Sequence, residues 1–104
     1  MEIMRVASTS STTALAGAIA WRVRQEGEAE MEAIGAGAVN QAIKAVAVAR
    51  TFVALDGLDL GVVPHFATVE TLGERRSALR LRICSWTRAL PAAEPAGLAV
   101  AEAC

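Results

Sequence analysis

One long segment, residues 36–53, constrains the fold most, because its pattern indicates a single uninterrupted helix. It contains no proline, and no glycine after Gly37. At about 100° per residue, its apolar side chains fall on one wide face and its polar ones in a narrow opposite stripe. The face carries Val39, Ala42, Ile43, Val46 and Ala49, and the stripe carries Gly37, Asn40, Gln41, Lys44 and Thr51. We predict an amphipathic helix that lies mostly in the core.

Two glycines, Gly35 and Gly37, precede or open this helix in the sequence Ile-Gly-Ala-Gly. Backbone N–H groups at a helix N-terminus bind phosphate, which gives one interpretation. The dinucleotide-binding motif requires G-x-G-x-x-G, however, and Asn40 stands where its third glycine would be. We favour the other interpretation, a tight turn from strand to helix in which glycine provides clearance.

The rest of the chain supplies four strand patterns and one more helix. Ser10 and Ser11 are candidate N-caps of a helix whose apolar spacing ends at Gly27. Short strands are predicted at residues 2–8 and 29–34, and longer ones at residues 60–70 and 75–86, around a turn at residues 71–74. The order is β-α-β-α-β-β. It predicts an α/β two-layer sandwich, with a mixed four-stranded sheet and two helices on one face.

Length and composition predict one domain followed by a tail. With 104 residues the chain has room for a single modest core. That core must be built from alanine and valine, since aromatic residues make up only 4%. We assign residues 1–88 to the domain. Residues 89–104 are rich in alanine and contain two prolines, so we expect a poorly ordered C-terminal tail.

Charge is balanced overall but unevenly distributed along the chain. The formal net charge is −1, so the chain lacks the basic excess of a protein that coats DNA. Glutamates cluster at positions 26, 28, 30 and 32, and arginines cluster at positions 75, 76, 80, 82 and 88. Two interpretations stay open: two solvated faces of opposite sign, or a local basic cluster that binds a partner.

The last strand pattern alternates aliphatic residues with arginines. Leu79, Leu81 and Ile83 would face the helices, which leaves the arginines between them on the open face of the sheet. Arg75 and Arg76 lie near the turn of the same hairpin. A basic hairpin of this kind can reach into a nucleic-acid groove. The alternative is an edge strand whose charges prevent aggregation.

The sequence supplies no candidate for a catalytic or metal site. His65 is the only histidine, and no serine or cysteine can be identified as its partner. It follows Pro64, which within a strand indicates an edge or a kink. One histidine and two cysteines do not supply a zinc site. Since no signal peptide or membrane-spanning run is recognisable either, we expect a cytoplasmic protein that is not an enzyme and uses no cofactor, small-molecule substrate or membrane.

Several short motifs match a known family. They are MEIMRV at the start, Ala16-Gly17-Ala18, IGAGAVNQAIKAVAVAR at residues 34–50, Pro64 with Phe66, and Gly73-Glu74-Arg75 leading into Ser77-Ala78-Leu79. Through these motifs, residues 1–86 resemble the stage V sporulation protein S family, which is similar in fold to Alba-type chromatin proteins. The motif at residues 34–50 is the most specific of them.

The resemblance implies a small homodimer that binds DNA or RNA and regulates bacterial development, without catalysis. Carried over residue by residue, it assigns nucleic-acid contacts to Asn40, Gln41 and Lys44 on the second helix and to Arg75 and Arg76 on the hairpin. The alternative is a protein-interaction or scaffolding module in sporulation or cell division, which the near-neutral net charge favours.

This sequence departs from the family pattern after the first strand. Family members carry a lysine and then a Pro-Asn pair there, where this chain has Thr9, Thr12 and Thr13. Each lost phosphate contact lowers both the affinity for nucleic acid and its dependence on salt. We therefore expect weaker nucleic-acid binding than the family pattern would give.

Overall fold

The computed structural model describes residues 2–88, and the tail expected at residues 89–104 lies outside the described residues. The elements follow the predicted order, with bounds that differ from the prediction by no more than two residues. They are β1 (Ile3–Val6), α1 (Thr12–Glu26), β2 (Glu28–Ala33), α2 (Ala36–Ala54), β3 (Leu58–Thr71) and β4 (Glu74–Thr87).

The four strands form one mixed sheet in the order β1-β2-β4-β3. β1 and β2 are parallel, and β4 is antiparallel to both of its neighbours. Both helices cover one face, so the predicted two-layer sandwich is confirmed. Where β4 pairs with β2 it is an interior strand, and the interpretation of its arginines as guards of an edge is wrong. The edge strands are β1 and β3, and β3 contains Pro64, as the proline indicated.

Both ends of α1 carry the residues that the sequence predicted. The hydroxyl oxygen of Ser11 accepts a hydrogen bond from the N–H of Ala14 (3.2 Å) and caps the N-terminus. Gly27 ends the helix at a φ of 83°, in the left-handed region, and its N–H donates to the carbonyl of Val23. These local signals are why the helix begins and ends where it does.

The core between the helices and the sheet consists of small and aliphatic side chains. β2 contributes Ala29, Met31 and Ala33, and β4 contributes Leu81 and Ile83, all of them buried. The helices contribute several alanines that are 1% exposed or less: Ala16, Ala20, Ala42, Ala45 and Ala49. Because alanine adds so little bulk, α1 and α2 pack closely on each other and on the sheet.

One residue of α2 departs from the predicted pattern. The helical wheel places Ile43 in the core, but its side chain is 46% exposed. Ala42, Val46 and Ala49 are buried as predicted. Ile43 lies on the side of α2 that faces the hairpin, where no other element among residues 2–88 covers it. The prediction failed because the wheel shows which way a side chain points, and not where the neighbouring layer ends.

The β3–β4 hairpin extends well beyond the rest of the sheet. β2 ends at Ala33, which pairs with Leu79, so residues 67–78 have no strand beside them except each other within the described chain. We call residues 67–78 the arm. At about 3.3 Å per residue, its β4 side projects about 17 Å. The arm ends in a two-residue turn of Leu72 and Gly73, whose φ angles are both positive (52° and 80°).

Candidate nucleic-acid interface

Three segments that are distant in the sequence meet at one end of the sheet. β1 and β2 are parallel neighbours, so the loop at residues 7–11 and the first turn of α2 leave the sheet at the same end. The arm leaves it there too, because Ala33 at the end of β2 pairs with Leu79 at the base of the arm. We call this part of the molecule the arm end.

Two residues of α2 hold the loop at residues 7–11 against the helix. A Cβ atom on Gly37 would lie 2.9 Å from Cβ of Ser8, so the loop packs where only glycine leaves room. The Nε2 group of Gln41 donates hydrogen bonds to the carbonyl oxygen of Ser10 (2.7 Å) and to Oγ1 of Thr12 (3.2 Å). The clearance interpretation of Gly37 is therefore supported, and Gln41 uses its amide nitrogen inside the protein.

We expect Gly37→Ala and Gly17→Ala to change stability in opposite directions. In Gly37→Ala the new methyl group forces the loop away, which should lower the free energy of unfolding by about 1 kcal/mol. In Gly17→Ala the methyl group meets nothing within 4 Å, and the better helix former should raise it by about 0.5–1 kcal/mol. Urea unfolding followed by circular dichroism measures both. A gain in both variants would contradict tight packing of the loop on α2.

Asn40 and Lys44 differ from Gln41 in having no partner. Both side chains are exposed, and neither forms a hydrogen bond or ion pair with any residue from 2 to 88. Asn40 lines a groove with Ser77, which lies at the base of the arm. Lys44 lies one helical turn further along α2. The predicted polar stripe is thus divided, since Gln41 contacts the loop, Asn40 lies beside the arm and Lys44 faces solvent.

The arm carries two arginines and two glutamates, so its charge is balanced rather than basic. Nε of Arg75 lies 3.9 Å from a carboxylate oxygen of Glu70, its partner across the hairpin. Both of these side chains are largely exposed. Arg76 is also exposed, and it forms no ion pair within residues 2–88. Because Glu70 and Glu74 offset the two arginines, the arm itself carries no net charge.

Ion pairing separates two cations from all the others. The chain has ten lysines and arginines, all of them among the described residues. Eight, all arginines, lie within 3.9 Å of a carboxylate oxygen. The two remaining cations in this part of the chain are Lys44 and Arg76. Both belong to the set of residues that the family resemblance assigned to nucleic-acid contact.

The arginines in the middle of β4 are neutralised by glutamates of β2. Arg80 lies 3.0 Å from Glu32, and Arg82 lies 3.2 Å from Glu28. Arg5 of β1 also approaches Glu32, at 3.6 Å. These arginines lie on the open face as predicted, and for Glu28 and Glu32 the interpretation as a separate, solvated acidic face is wrong. Glu32 is only 7% exposed, because strand alternation puts it directly opposite an arginine on each side.

An apolar groove lies between α2 and the base of the arm. Its volume is about 550 Å³, and no charged side chain lines it. Phe66 is 81% exposed, and Ile43 is the other large exposed side chain there. Most of the remaining lining is small or aliphatic, including Ala36, Val39 and Leu79. An exposed apolar patch of this kind is typical of a protein–protein interface.

Sequence reasoning missed two features of the arm end, Phe66 as an exposed side chain and Leu72 at the tip of the arm. A signal for Phe66 was present. The predicted strand that contains it is about twice as long as its predicted counterpart at residues 29–34, so part of its apolar side must extend past the helices. The signal for Leu72 was a leucine in the turn at residues 71–74, a position where polar residues and glycine are usual.

The described part of the chain contains neither a candidate metal site nor a candidate membrane-spanning helix. Between residues 2 and 88 no group of three histidine, cysteine, aspartate or glutamate side chains is placed to hold a metal ion. No helix in the same range is long and apolar enough to cross a membrane.

Comparison with known proteins decides the family. Residues 2–86 match the family model described as stage V sporulation protein S. The chain belongs to the stage V sporulation protein S family. The resemblance inferred from the motifs is therefore confirmed, and the match runs from β1 into the last residues of β4.

The fold of this stage V sporulation protein S family member is also similar to a solved structure. Alba from Thermoplasma volcanium superposes with a TM-score of 0.55, covering 84% of this chain and 100% of that chain, at 13% sequence identity. At that identity the similarity concerns the fold alone. The predicted Alba-like architecture is confirmed.

Proposed function

We propose that this chain is a small, non-catalytic protein that acts in sporulation as a homodimer and binds DNA or RNA through the arm end. The observation that carries the proposal is that Lys44 and Arg76 are the two cations without an acidic partner among residues 2–88. Exposed cations whose charge is not already neutralised are the side chains best able to bind phosphate. Family membership supports the link to sporulation.

The five predicted contact residues take different roles in this proposal. Lys44 and Arg76 contact phosphates directly. Arg75 can exchange its long, exposed ion pair for a phosphate, since such a pair contributes little to stability. Asn40 lines the apolar groove, and we place it at the rim of the dimer interface proposed there, where its unpaired amide can hydrogen-bond to phosphates or base edges. Gln41 is a positioning residue, because its amide nitrogen holds the loop at residues 7–11 beside α2.

The homodimer in the proposal uses the apolar groove. A two-fold interface brings the same surface of both copies together, so it must be complementary to itself. The groove meets this requirement, since it is apolar and carries no charge that would repel its copy. Joined there, two copies would present two arms and two copies each of Lys44 and Arg76. The dimer would thus double the number of phosphate contacts.

A gel-shift titration of labelled duplex DNA at several salt concentrations tests nucleic-acid binding. We expect Lys44→Ala, and the double variant Arg75→Ala with Arg76→Ala, to weaken binding at every salt concentration. Each phosphate contact contributes about 0.9 to the slope of log K against log salt concentration. Loss of Lys44 from both copies of a dimer should therefore reduce the slope by about 2.

Arg82→Ala is the matched control, because it removes the same charge from the open face, where Arg82 pairs with Glu28. Its affinity and salt slope should equal those of the wild-type protein. Equal losses for Lys44→Ala and Arg82→Ala would mean that net charge and not the arm end decides binding. Absence of any shift for the wild-type protein at low salt, with duplex DNA and with labelled RNA alike, would refute the function.

The second candidate function is a protein-interaction module, which the charge-balanced open face favours. Arg80 and Arg82 are held by glutamates of the same sheet, so this face offers little free charge to nucleic acid. The test is affinity purification with and without nuclease treatment. A protein partner recovered after nuclease treatment would support this function, and recovery only without nuclease would count against it.

A further inference from the structure

The tip of the arm carries a leucine, Leu72, at a position where both the backbone conformation and the solvent exposure disfavour a large apolar side chain. Leu72 and Gly73 form the two-residue turn between Thr71 and Glu74, and both have positive φ. Such a turn favours asparagine, aspartate or glycine at its first position, because a larger side chain is strained in the left-handed region. Leu72 is also fully exposed, at 103%. The residue therefore stabilises neither the turn nor the core.

The position of Leu72 gives it unusual reach. The arm extends about 17 Å beyond β2. The minor groove of B-form DNA is about 6 Å wide and about 7.5 Å deep, so it would admit the tip but not the two-stranded arm. Glu74 follows the turn directly, and Arg75 and Arg76 lie behind it, where they could offset that carboxylate and contact the phosphates beside such a groove. An apolar side chain would then be the first part of the arm to meet the bases.

We propose that Leu72 is an apolar wedge that enters the minor groove of duplex DNA and partly unstacks one base step. Architectural DNA-binding proteins use leucine in this way, and the resulting kink lets the protein contact more of the duplex. The proposal rests on the nucleic-acid-binding function proposed above. It narrows the ligand to B-form duplex DNA, since the minor groove of duplex RNA is wide and shallow.

Leu72→Asn tests the wedge without endangering the fold. The turn becomes Asn-Gly, the favoured sequence for two positive φ angles, so the melting temperature should stay equal or rise. We expect its affinity for duplex DNA to fall by about tenfold, the order of effect of a lost base-step contact. A duplex with 2-aminopurine at successive positions should brighten on binding wild-type protein, as unstacking does, and stay dim with the variant. The salt slope should not change, because leucine contacts no phosphate.

Leu55→Asn is the matched control, since Leu55 is 88% exposed at the C-terminal end of α2 and outside the groove and the arm. It should bind and unstack DNA like the wild-type protein. If wild-type protein binds DNA and Leu72→Asn matches it in affinity and fluorescence, the wedge is refuted while the function stands. If wild-type protein binds RNA but not duplex DNA, the wedge is refuted while the function stands, and if it binds neither, both are refuted. If Leu72→Asn weakens binding to a protein partner only, or weakens binding to duplex RNA as much as to duplex DNA, the tip serves another ligand and the wedge is refuted.

Discussion

Replacing Asp59 with asparagine should lower the free energy of unfolding by about 2–3 kcal/mol at neutral pH. Asp59 is 7% exposed at the start of β3. Its carboxylate accepts two hydrogen bonds from Arg50 (2.7 and 3.0 Å), one from Arg88 (2.6 Å) and one from the N–H of Leu60 (2.8 Å). Removing its charge leaves two arginines around a neutral group, although both are partly exposed and so keep some hydration.

Asp56→Asn is the control for this prediction. Asp56 pairs with Arg24, but both side chains are more than 40% exposed, and such surface pairs contribute less than about 1 kcal/mol. Urea unfolding of the two variants compares the free energy lost at the buried Asp59 with the free energy lost at the surface ion pair of Asp56. Equal losses would show that Asp59 does not anchor β3 through its ion pairs.

The hydrogen bonds to the Asp59 carboxylate also predict how the free energy of unfolding depends on pH. The hydrogen bonds from Arg50 lower the pKa of Asp59 below its usual value, against the opposing effect of burial, with smaller contributions from the Leu60 N–H and the charge of Arg88. Since the pKa is lower in the folded state, the contribution of Asp59 is complete above its unfolded-state pKa of about 3.9. It is lost as pH falls further through the folded pKa. The difference between wild type and Asp59→Asn should therefore be constant from about pH 5 to 7 and shrink below about pH 4.

Ile43→Glu should convert the proposed dimer to a monomer. The change would bury two carboxylates in the proposed interface, whose groove is lined by no cationic side chain. A penalty of about 3 kcal/mol, at the low end for burying unpaired charges, raises the dissociation constant more than 100-fold. Because Ile43 is already half exposed in a single copy, the monomer should keep its fold. Light scattering after size-exclusion chromatography gives the mass, and circular dichroism checks the helices.

Leu55→Glu introduces the same charge at an exposed leucine outside the groove and should leave the dimer intact. Phe66→Ser, which removes the most exposed ring at the groove, should weaken the dimer as well. A folded Ile43→Glu protein that remains dimeric would show that the interface lies elsewhere. If it is monomeric, its DNA affinity and salt slope should both fall, because half of the phosphate contacts are lost.

The sequence predicted well whatever depends on neighbours close in the chain. Ser11 and Gly27 define the ends of α1 through bonds to residues three or four positions away. Leu81 and Ile83 are buried because strand alternation is local. The sequence predicted poorly the features that depend on which strands are neighbours or on where the sheet ends. Ile43 has the spacing of a core residue, and it is exposed because the sheet does not extend over it and no other element among residues 2–88 covers it.

By itself, the sequence determined the element order, the helix ends, the alternation along β4 and the family, because these follow from local geometry and from motifs that can be recognised directly. The tertiary structure decided which charges remain available. The pairs Glu32–Arg80 and Glu28–Arg82 join residues 48 and 54 positions apart, and they form because β2 and β4 are neighbours in one register. That long-range pairing neutralises the middle of β4, and it leaves Lys44 and Arg76 as the cations of residues 2–88 without a carboxylate.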